Sequence, residues 1–246
     1  MIYKQLAQTN GLYVCPQGET QIPVAAFIGC SNLTKIVIPE TVKKIGEYAF
    51  LGCAGLKHIE ISKGVTEIAE SAFSGCSNLE LIELPDGLEE IGDRVFMDCT
   101  RLRHISLPNS LKHIGMFAFS GCIRLKTINV PANVDVIQSG TFYRCSSLSN
   151  VEIPGNVRLI DEAAFARCRN IVELKICEGV ETLGIEAFAR CSSLRTVTVP
   201  DSVKYIGEYA FADCKKLGTI VIPHIQTKIF DDTFSGCKDI NIEYKK

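Results

Sequence analysis

Residues 33–53 read L-T-K-I-V-I-P-E-T-V-K-K-I-G-E-Y-A-F-L-G-C, and this stretch contains the pattern that decides the fold. Its apolar residues, glycine and cysteine return every 23 residues between about residues 13 and 242. Ten phenylalanines and ten cysteines keep this step without an insertion: Phe27, Phe50, Phe73, Phe96, Phe119, Phe142, Phe165, Phe188, Phe211 and Phe234; Cys30, Cys53, Cys76, Cys99, Cys122, Cys145, Cys168, Cys191, Cys214 and Cys237. A fixed period of this length indicates stacked supersecondary units.

The first half of each unit has the pattern of a short strand. Ile36 and Ile38 are apolar and flank the variable position of Val37. This period of two is typical of a strand with one buried face. Proline follows the strand in seven repeats, as Pro39 does here. Since proline has no N–H group to donate to a ladder, it ends the strand.

The second half of each unit returns the chain to the start of the next strand. Val42 and Ile45 point inward from a short extended segment, and Ala49, Phe50 and Cys53 share one face if residues 46–53 form a single helical turn. We therefore predict single-turn helical segments there. No repeat can bury its apolar face alone, so residues 1–246 are expected to form one solenoid domain. Residues 1–12 would form an N-terminal cap, about ten repeats would follow over 13–242, and 243–246 would be a tail.

Composition excludes several classes of protein. The chain has 26 basic and 28 acidic residues, a formal net charge of −2, which gives no general attraction to nucleic acid. No run of 18 apolar residues is present, so we expect no membrane insertion. The first five residues, M-I-Y-K-Q, show neither a charged leader nor a long apolar run, so no signal peptide is visible.

The cysteines are expected to be buried free thiols rather than metal ligands. A stacked row of parallel side chains does not converge on one centre as tetrahedral zinc requires, and the sequence has no C-x-x-C pair. Disulfides within the row are disfavoured, because parallel Cβ vectors about 5 Å apart exceed the usual Cβ separation. His58 and His104 lie two repeats apart, roughly 10 Å by strand spacing. We predict no metal and no cofactor.

Catalytic motifs are also missing from the sequence. It contains no HExxH motif, no glycine-rich phosphate loop after a strand, and no Ser-His-Asp or Cys-His arrangement. The chain is therefore predicted not to be an enzyme, and no catalytic residue is proposed.

Arg144, Arg167 and Arg190 occupy one position in three consecutive repeats. Such a stripe could bind a sulfated glycan or a phosphate backbone. Alternatively, the arginines end the helical segments, whose first turns are acidic, and so complement the helix dipole; Glu186 and Arg190 have the i,i+4 spacing of a helical ion pair. We favour this second, structural interpretation.

The repeat L-x-x-I-x-[IL]-P followed by V-x-x-I-G-x-x-A-F-x-G-C resembles the BspA-like, treponemal-type branch of leucine-rich repeats, over about residues 13–242. The resemblance implies a right-handed, curved, β-rich solenoid, nominally α/β. Short parallel strands would line the concave face, and short extended and single-turn helical segments the other side. Proteins of this branch are mostly surface-exposed binders and adhesins.

The resemblance also implies a function. It implies a cell-surface or secreted module that binds a protein or glycan, for example in adhesion to a host. An intracellular, cytoplasmic protein-interaction scaffold is the alternative, favoured by the missing signal peptide and the free thiols. We expect a monomer or a weak end-to-end dimer.

The outward-facing strand positions are the expected binding surface, because solenoids commonly bind along an extended concave face. The central part of this face has no large apolar residue and mixes hydrogen-bonding groups with charges of both signs. It suits a polar ligand better than an apolar helix. The predicted contact residues are Thr127, Asn129, Asn150, Glu152, Glu173, Lys175 and Thr196.

Overall fold

The computed structural model describes residues 11–223 and 227–245, and within them the chain forms eighteen short strands. In chain order the strands are β1 (Leu12–Val14), β2 (Gln21–Ile22), β3 (Lys35–Val37), β4 (Lys44–Ile45), β5 (His58–Glu60), β6 (Glu67–Ile68), β7 (Leu81–Glu83), β8 (Glu90–Ile91), β9 (His113–Ile114), β10 (Val136–Ile137), β11 (Asn150–Ile153), β12 (Leu159–Ile160), β13 (Glu173–Ile176), β14 (Thr182–Leu183), β15 (Thr196–Thr198), β16 (Tyr205–Ile206), β17 (Thr219–Ile222) and β18 (Asn241–Tyr244).

The strands stack into two parallel ladders, so the chain is a parallel β-solenoid of about ten turns, as the sequence predicted. The first ladder contains the longer strands, in which apolar side chains alternate with exposed ones. In β11 and β13, for example, Val151 lies beside Leu174 and Glu152 beside Lys175, a step of 23 residues. The second ladder contains the two-residue strands, such as β4 beside β6.

Each ladder is interrupted. The first breaks between β3 and β5 and again between β7 and β11, where residues 104–130 contribute only an isolated bridge from Leu81 to His104. The second ladder breaks between β9 and β10. Both ladders are therefore open in the middle of the solenoid, within the same pair of neighbouring repeats.

A continuous apolar core runs between the ladders from Tyr13 to Ile240. Nine of the ten regularly spaced phenylalanines are completely buried, and successive rings stack with centroids 5.0–5.9 Å apart. Phe234 in the last turn is only partly buried. The predicted burial of this row is thus confirmed for nine positions.

The segment that joins the second ladder to the next repeat is not helical, so the predicted single-turn helical segments are wrong. In residues 46–53, the amides of Ala49, Leu51 and Cys53 bond to carbonyls three residues earlier, as in consecutive β-turns. The intervening amides bond instead to the next repeat, as Phe50 N–H does to Ala72 O over 2.8 Å. A helix directs all its amides along its own axis, whereas these alternate between the turn and the neighbour.

Two residues in each of nine of these turns, and one residue in the last turn, adopt a positive φ. We call the first set the first left-handed row: Ala25, Tyr48, Ser71, Arg94, Phe117, Gly140, Ala163, Glu186 and Tyr209. We call the second set the second left-handed row: Gly29, Gly52, Gly75, Asp98, Gly121, Arg144, Arg167, Arg190, Asp213 and Gly236. Both rows lie on the turn segments, and most of their amides donate to the next repeat, as Gly52 N–H does to Ser74 O over 2.8 Å.

The structure describes the two ends of the solenoid only in part. Residues 1–10 of the predicted N-terminal cap lie outside the described residues, and β1 already begins at Leu12. At the other end, the sequence predicted a tail from residue 243, but the strand pairing continues past that residue. Strand β18 continues through Glu243 to Tyr244, which pairs with Ile222, and Lys245 contacts Asp201 with 2.7 Å between Nζ and Oδ1.

Candidate functional site

A recess of about 520 Å³ opens on the face of the first ladder at its central interruption. The structure brings six of the seven residues predicted for ligand binding to the wall of this recess: Thr127, Asn129, Asn150, Glu152, Glu173 and Lys175. The seventh, Thr196, lines an adjoining recess that shares Glu173 and Lys175. The predicted residues therefore form one continuous polar surface, and ligand binding there stays a prediction.

Sequence reasoning missed the apolar part of the wall. Ile105 and Ile128 belong to positions predicted to point into the core, yet both are only partly buried and line the recess. Leu107 and Val151 complete the apolar lining. No signal in the sequence marks these isoleucines, because they are the residue type that the fully buried equivalents also use.

The backbone in the recess has unused hydrogen-bonding groups. Residues 105–107 and 127–130 make no backbone–backbone hydrogen bond with any described residue, although Lys126 N–H, just before the second segment, reaches Arg103 O at 3.2 Å. Peptide N–H and C=O groups require partners, from protein, water or ligand. The recess therefore combines apolar walls with free peptide donors and acceptors.

One ion pair lies in the wall of the recess. Lys175 Nζ donates to Glu152 Oε1 over 2.7 Å, and the Cys177 thiol lies 3.7 Å from the same oxygen. This hydrogen bond lowers the pKa of Glu152 and raises the pKa of Lys175. Both side chains remain more than half exposed, so this pair positions charges without contributing much to stability.

A second recess, of about 600 Å³, lies at the other interruption of the first ladder, between β3 and β5. Here each strand is still paired on its far side, β3 with β1 and β5 with β7. His58 of this recess bonds to Glu83 with 3.0 Å between Nε2 and Oε1. The central recess differs because its two middle segments lack a ladder on either side.

The three arginines of the basic stripe, which are the alternative binding surface, lie on the turn segments and not beside the recess. Arg144, Arg167 and Arg190 have φ values of 61°, 64° and 61° in the second left-handed row. Because the described residues contain no helix at these positions, the helix-dipole interpretation of the arginines is wrong. Arg190 does not form the predicted ion pair with Glu186. Its Nε instead contacts Asp213 Oδ2 of the next repeat at 3.3 Å.

The cysteine row is buried at nine of its ten positions, with Cys237 half-buried. From Cys53 onward each thiol donates to a phenylalanine carbonyl of the preceding repeat, with Sγ–O distances of 3.0–3.3 Å. In the part of the chain that the structure describes, no three His, Cys, Asp or Glu side chains converge as metal ligands do. Residues 11–223 and 227–245 also include no helix with the length and apolarity needed to cross a bilayer.

This architecture of 23-residue parallel turns defines a leucine-rich-repeat solenoid. The sequence profile described as "BspA type Leucine rich repeat region" matches residues 20–149 and 135–245, in six copies. The chain therefore belongs to the BspA-type leucine-rich-repeat family. A sequence comparison with curated proteins finds no match.

Solved structures agree with this assignment. A leucine-rich repeat protein from Bacteroides ovatus is 29% identical, with a TM-score of 0.87 over 95% of this chain and 63% of that chain. This chain thus spans less than two thirds of that relative. A leucine-rich repeat protein from T. pallidum is 32% identical, with a TM-score of 0.62 over 81% of this chain and 91% of that one. The pneumococcal vaccine antigen PcpA shares the fold, with a TM-score of 0.61 and 19% identity over 96% of this chain and 69% of that one.

Proposed function

We propose that this chain is a non-enzymatic binding module that acts at the cell surface or after secretion and holds a polar protein segment or a glycan in the central recess. The observation that carries the proposal is the pair of unpaired segments, 105–107 and 127–130, in the wall of a recess lined by polar side chains. A rigid solenoid normally pairs these groups, so a ligand with many hydroxyl or amide groups gains hydrogen bonds there without a competing ladder.

The chemistry of the lining favours a polar ligand. Asn129 and Asn150 each provide a donor and an acceptor, Glu173 provides an acceptor, and Lys175 a donor. Ile105 and Ile128 add two partly exposed apolar surfaces that can contact the carbon face of a sugar or the stem of a side chain. An apolar helix would need larger exposed anchors than this wall provides. The surface or secreted location rests on the family to which the chain belongs.

The recess can be tested by screening the purified chain against a glycan array and a panel of extracellular matrix proteins. For any ligand found, Asn150→Ala/Glu152→Ala is compared with Arg167→Ala/Arg190→Ala, which changes the turn segments instead. We expect the recess pair to abolish binding and the arginine pair to leave it intact. We also expect only a mild salt dependence, because few charges are neutralised. If the arginine pair abolished binding and the recess pair left it intact, the recess would not be the binding site.

The location has its own test. Antibodies against the folded chain, applied to intact and to permeabilised cells of the source organism, should stain both equally if the protein is exposed. Staining that requires permeabilisation would assign the protein to the cell interior.

A further inference from the structure

The second left-handed row is unusual in three consecutive repeats. Seven of its ten positions hold glycine or aspartate, the residue types that adopt a positive φ most readily. The other three are Arg144, Arg167 and Arg190. An L-residue with a long side chain is disfavoured in this conformation. These arginines are therefore present against the preference of the backbone, which is a feature typical of functional positions.

The arginines make few contacts within the fold that would offset this preference. No helix precedes the arginines, so there is no dipole for them to complement. Arg190 has a carboxylate partner, Asp213, but neither Arg144 nor Arg167 forms an ion pair within the described residues. Arg167 lies over the ring of Tyr143, 5.8 Å from its centroid, and is partly exposed. Two of the three positive charges thus lack a carboxylate partner among the described residues.

The backbone fixes the three arginines in a straight row. The amides of Arg144, Arg167 and Arg190 donate to Ala166, Ala189 and Ala212 of the following repeats over 2.7–2.9 Å. The stacked rings of Phe142, Phe165 and Phe188 beneath them are 5.1 and 5.4 Å apart. The backbone therefore holds the three arginines in register, roughly one strand separation apart.

A shallow recess of about 270 Å³ lies at the Arg190 end of this row. Tyr209, which is 40% exposed, lines it together with Ala189 and Ala212, and the carboxylates of Glu186 and Asp213 stand at its wall. An exposed aromatic ring beside carboxylates suits a sugar, because the ring contacts the sugar's carbon face and the carboxylates accept its hydroxyl groups.

We propose that Arg144, Arg167 and Arg190 form a binding stripe for a sulfated polysaccharide, whose sulfate groups pair with the guanidinium groups while one sugar ring occupies the recess beside Tyr209. Arginine forks bind sulfate-like oxygens in two-point contacts. A nucleic acid could also pair its phosphates with the arginines, and the test below distinguishes the two polyanions. This site shares no residue with the central recess.

The test uses the whole chain and heparin as the sulfated probe. Replacing all three arginines, Arg144→Gly/Arg167→Gly/Arg190→Gly, removes the charges and at the same time supplies the residue that the backbone prefers. We expect heparin binding at low ionic strength to weaken by at least about tenfold, and its salt dependence to become less steep. The melting temperature should stay the same or rise, because the glycines relieve the positive φ.

A charge-matched control removes three positive charges elsewhere, at exposed positions outside the stripe: Arg101→Ser/Arg124→Ser/Lys126→Ser. This control should bind heparin nearly as well as the unmodified chain. Desulfated heparin should not bind, and Asn150→Ala/Glu152→Ala should leave heparin binding unchanged, which separates this site from the central recess.

Four results would contradict the proposal that the arginine stripe binds a sulfated polysaccharide. These are no heparin binding by the unmodified chain, undiminished binding by the triple glycine variant, an equal loss in the charge-matched control, and tighter binding of a single-stranded polynucleotide than of heparin. The last would show a nucleic-acid site instead.

Discussion

The thiol of Cys145 donates a hydrogen bond to the backbone carbonyl of Phe119, 26 residues earlier, over 3.1 Å. The same carbonyl also accepts the amide of Cys122 in its own repeat, over 3.1 Å. Each thiol thus adds a bond between neighbouring repeats at a carbonyl that already closes a turn. Cysteine is small enough for this buried position and carries the donor that alanine lacks, which gives a physical reason for its return every 23 residues.

Burial of this row predicts how the thiols react. In the native chain only the half-buried Cys177 and Cys237 should react readily with a thiol reagent. All twelve should react after denaturation without a reductant. Mass spectrometry of the labelled peptides measures both states. Fewer than twelve labelled thiols in the denatured chain would indicate disulfides and contradict the free-thiol prediction.

The thiol row also predicts a loss of stability at alkaline pH. Burial raises the pKa of seven central thiols, those of Cys76, Cys99, Cys122, Cys145, Cys168, Cys191 and Cys214. These groups stay protonated in the folded chain, whereas unfolded thiols ionise above about pH 8.5. Their contribution is therefore fully present below that pH and is lost as pH rises above it towards the higher pKa of the folded thiols.

Urea denaturation at pH 8 and pH 10 measures this loss. The matched variant Cys122→Ala/Cys145→Ala/Cys168→Ala has three fewer such groups, so its free energy of unfolding should fall less between the two pH values, although it starts lower. An equal fall in both proteins would show that the buried thiols do not cause the alkaline instability.

The phenylalanine stack gives a prediction about packing. Phe142 is fully buried between Phe119 and Phe165, with ring centroids 5.5 and 5.1 Å away. Phe142→Ala should lower the free energy of unfolding by about 3–5 kcal/mol, because it leaves a cavity. Phe234→Ala removes the same atoms from a partly exposed position in the last turn and should lower the free energy of unfolding by clearly less. Similar costs at the two positions would contradict the assignment of the central row to the core.

The sequence was sufficient to predict the ladders and the core because both follow from periodicity. Ile36, Phe50 and Cys53 return at one step, and their equivalents must stack if any repeat is to bury its apolar face. The turn segment was mispredicted as helical because the spacing of Ala49, Phe50 and Cys53 fits one helical turn as well as two consecutive β-turns. The recurring glycine of the second left-handed row was the available signal, since glycine at a fixed position often indicates a positive φ.

Only part of the candidate site could be predicted from the sequence. Polar residues such as Asn129 and Asn150 could be placed on the face of the first ladder from their alternation with buried residues. The interruption of the ladder beside them could not be predicted, because Ile105 and Ile128 keep the apolar residue type of paired strands. Ladder hydrogen bonds depend on how far neighbouring turns shift relative to each other, and a shift of a fraction of an ångström breaks the bond without any change in residue type.

The interruption itself can be measured. Amide hydrogens of Asn129 and Val130 have no backbone acceptor among the described residues, whereas Leu174 and Lys175 belong to the paired strand β13. Hydrogen exchange followed by NMR should therefore be faster for the first pair than for the second, although Val130 is buried. Equal protection would mean that the ladder closes in solution and that the recess has no free peptide groups.

The second left-handed row allows a test of backbone strain that needs no ligand. Arg167 has a φ of 64°, whereas Arg169, two residues later, is not among the positions with positive φ. Arg167→Gly relieves a conformation that costs an L-residue about 1–2 kcal/mol, and this offsets the extra entropy that glycine gives the unfolded chain. We expect its free energy of unfolding to be unchanged or raised by up to about 1 kcal/mol. Arg169→Gly brings the entropy cost without the relief and should lower stability by roughly 0.5–1 kcal/mol. Urea denaturation of both variants makes the comparison, and a larger loss at Arg167 than at Arg169 would mean that this arginine stabilises the fold.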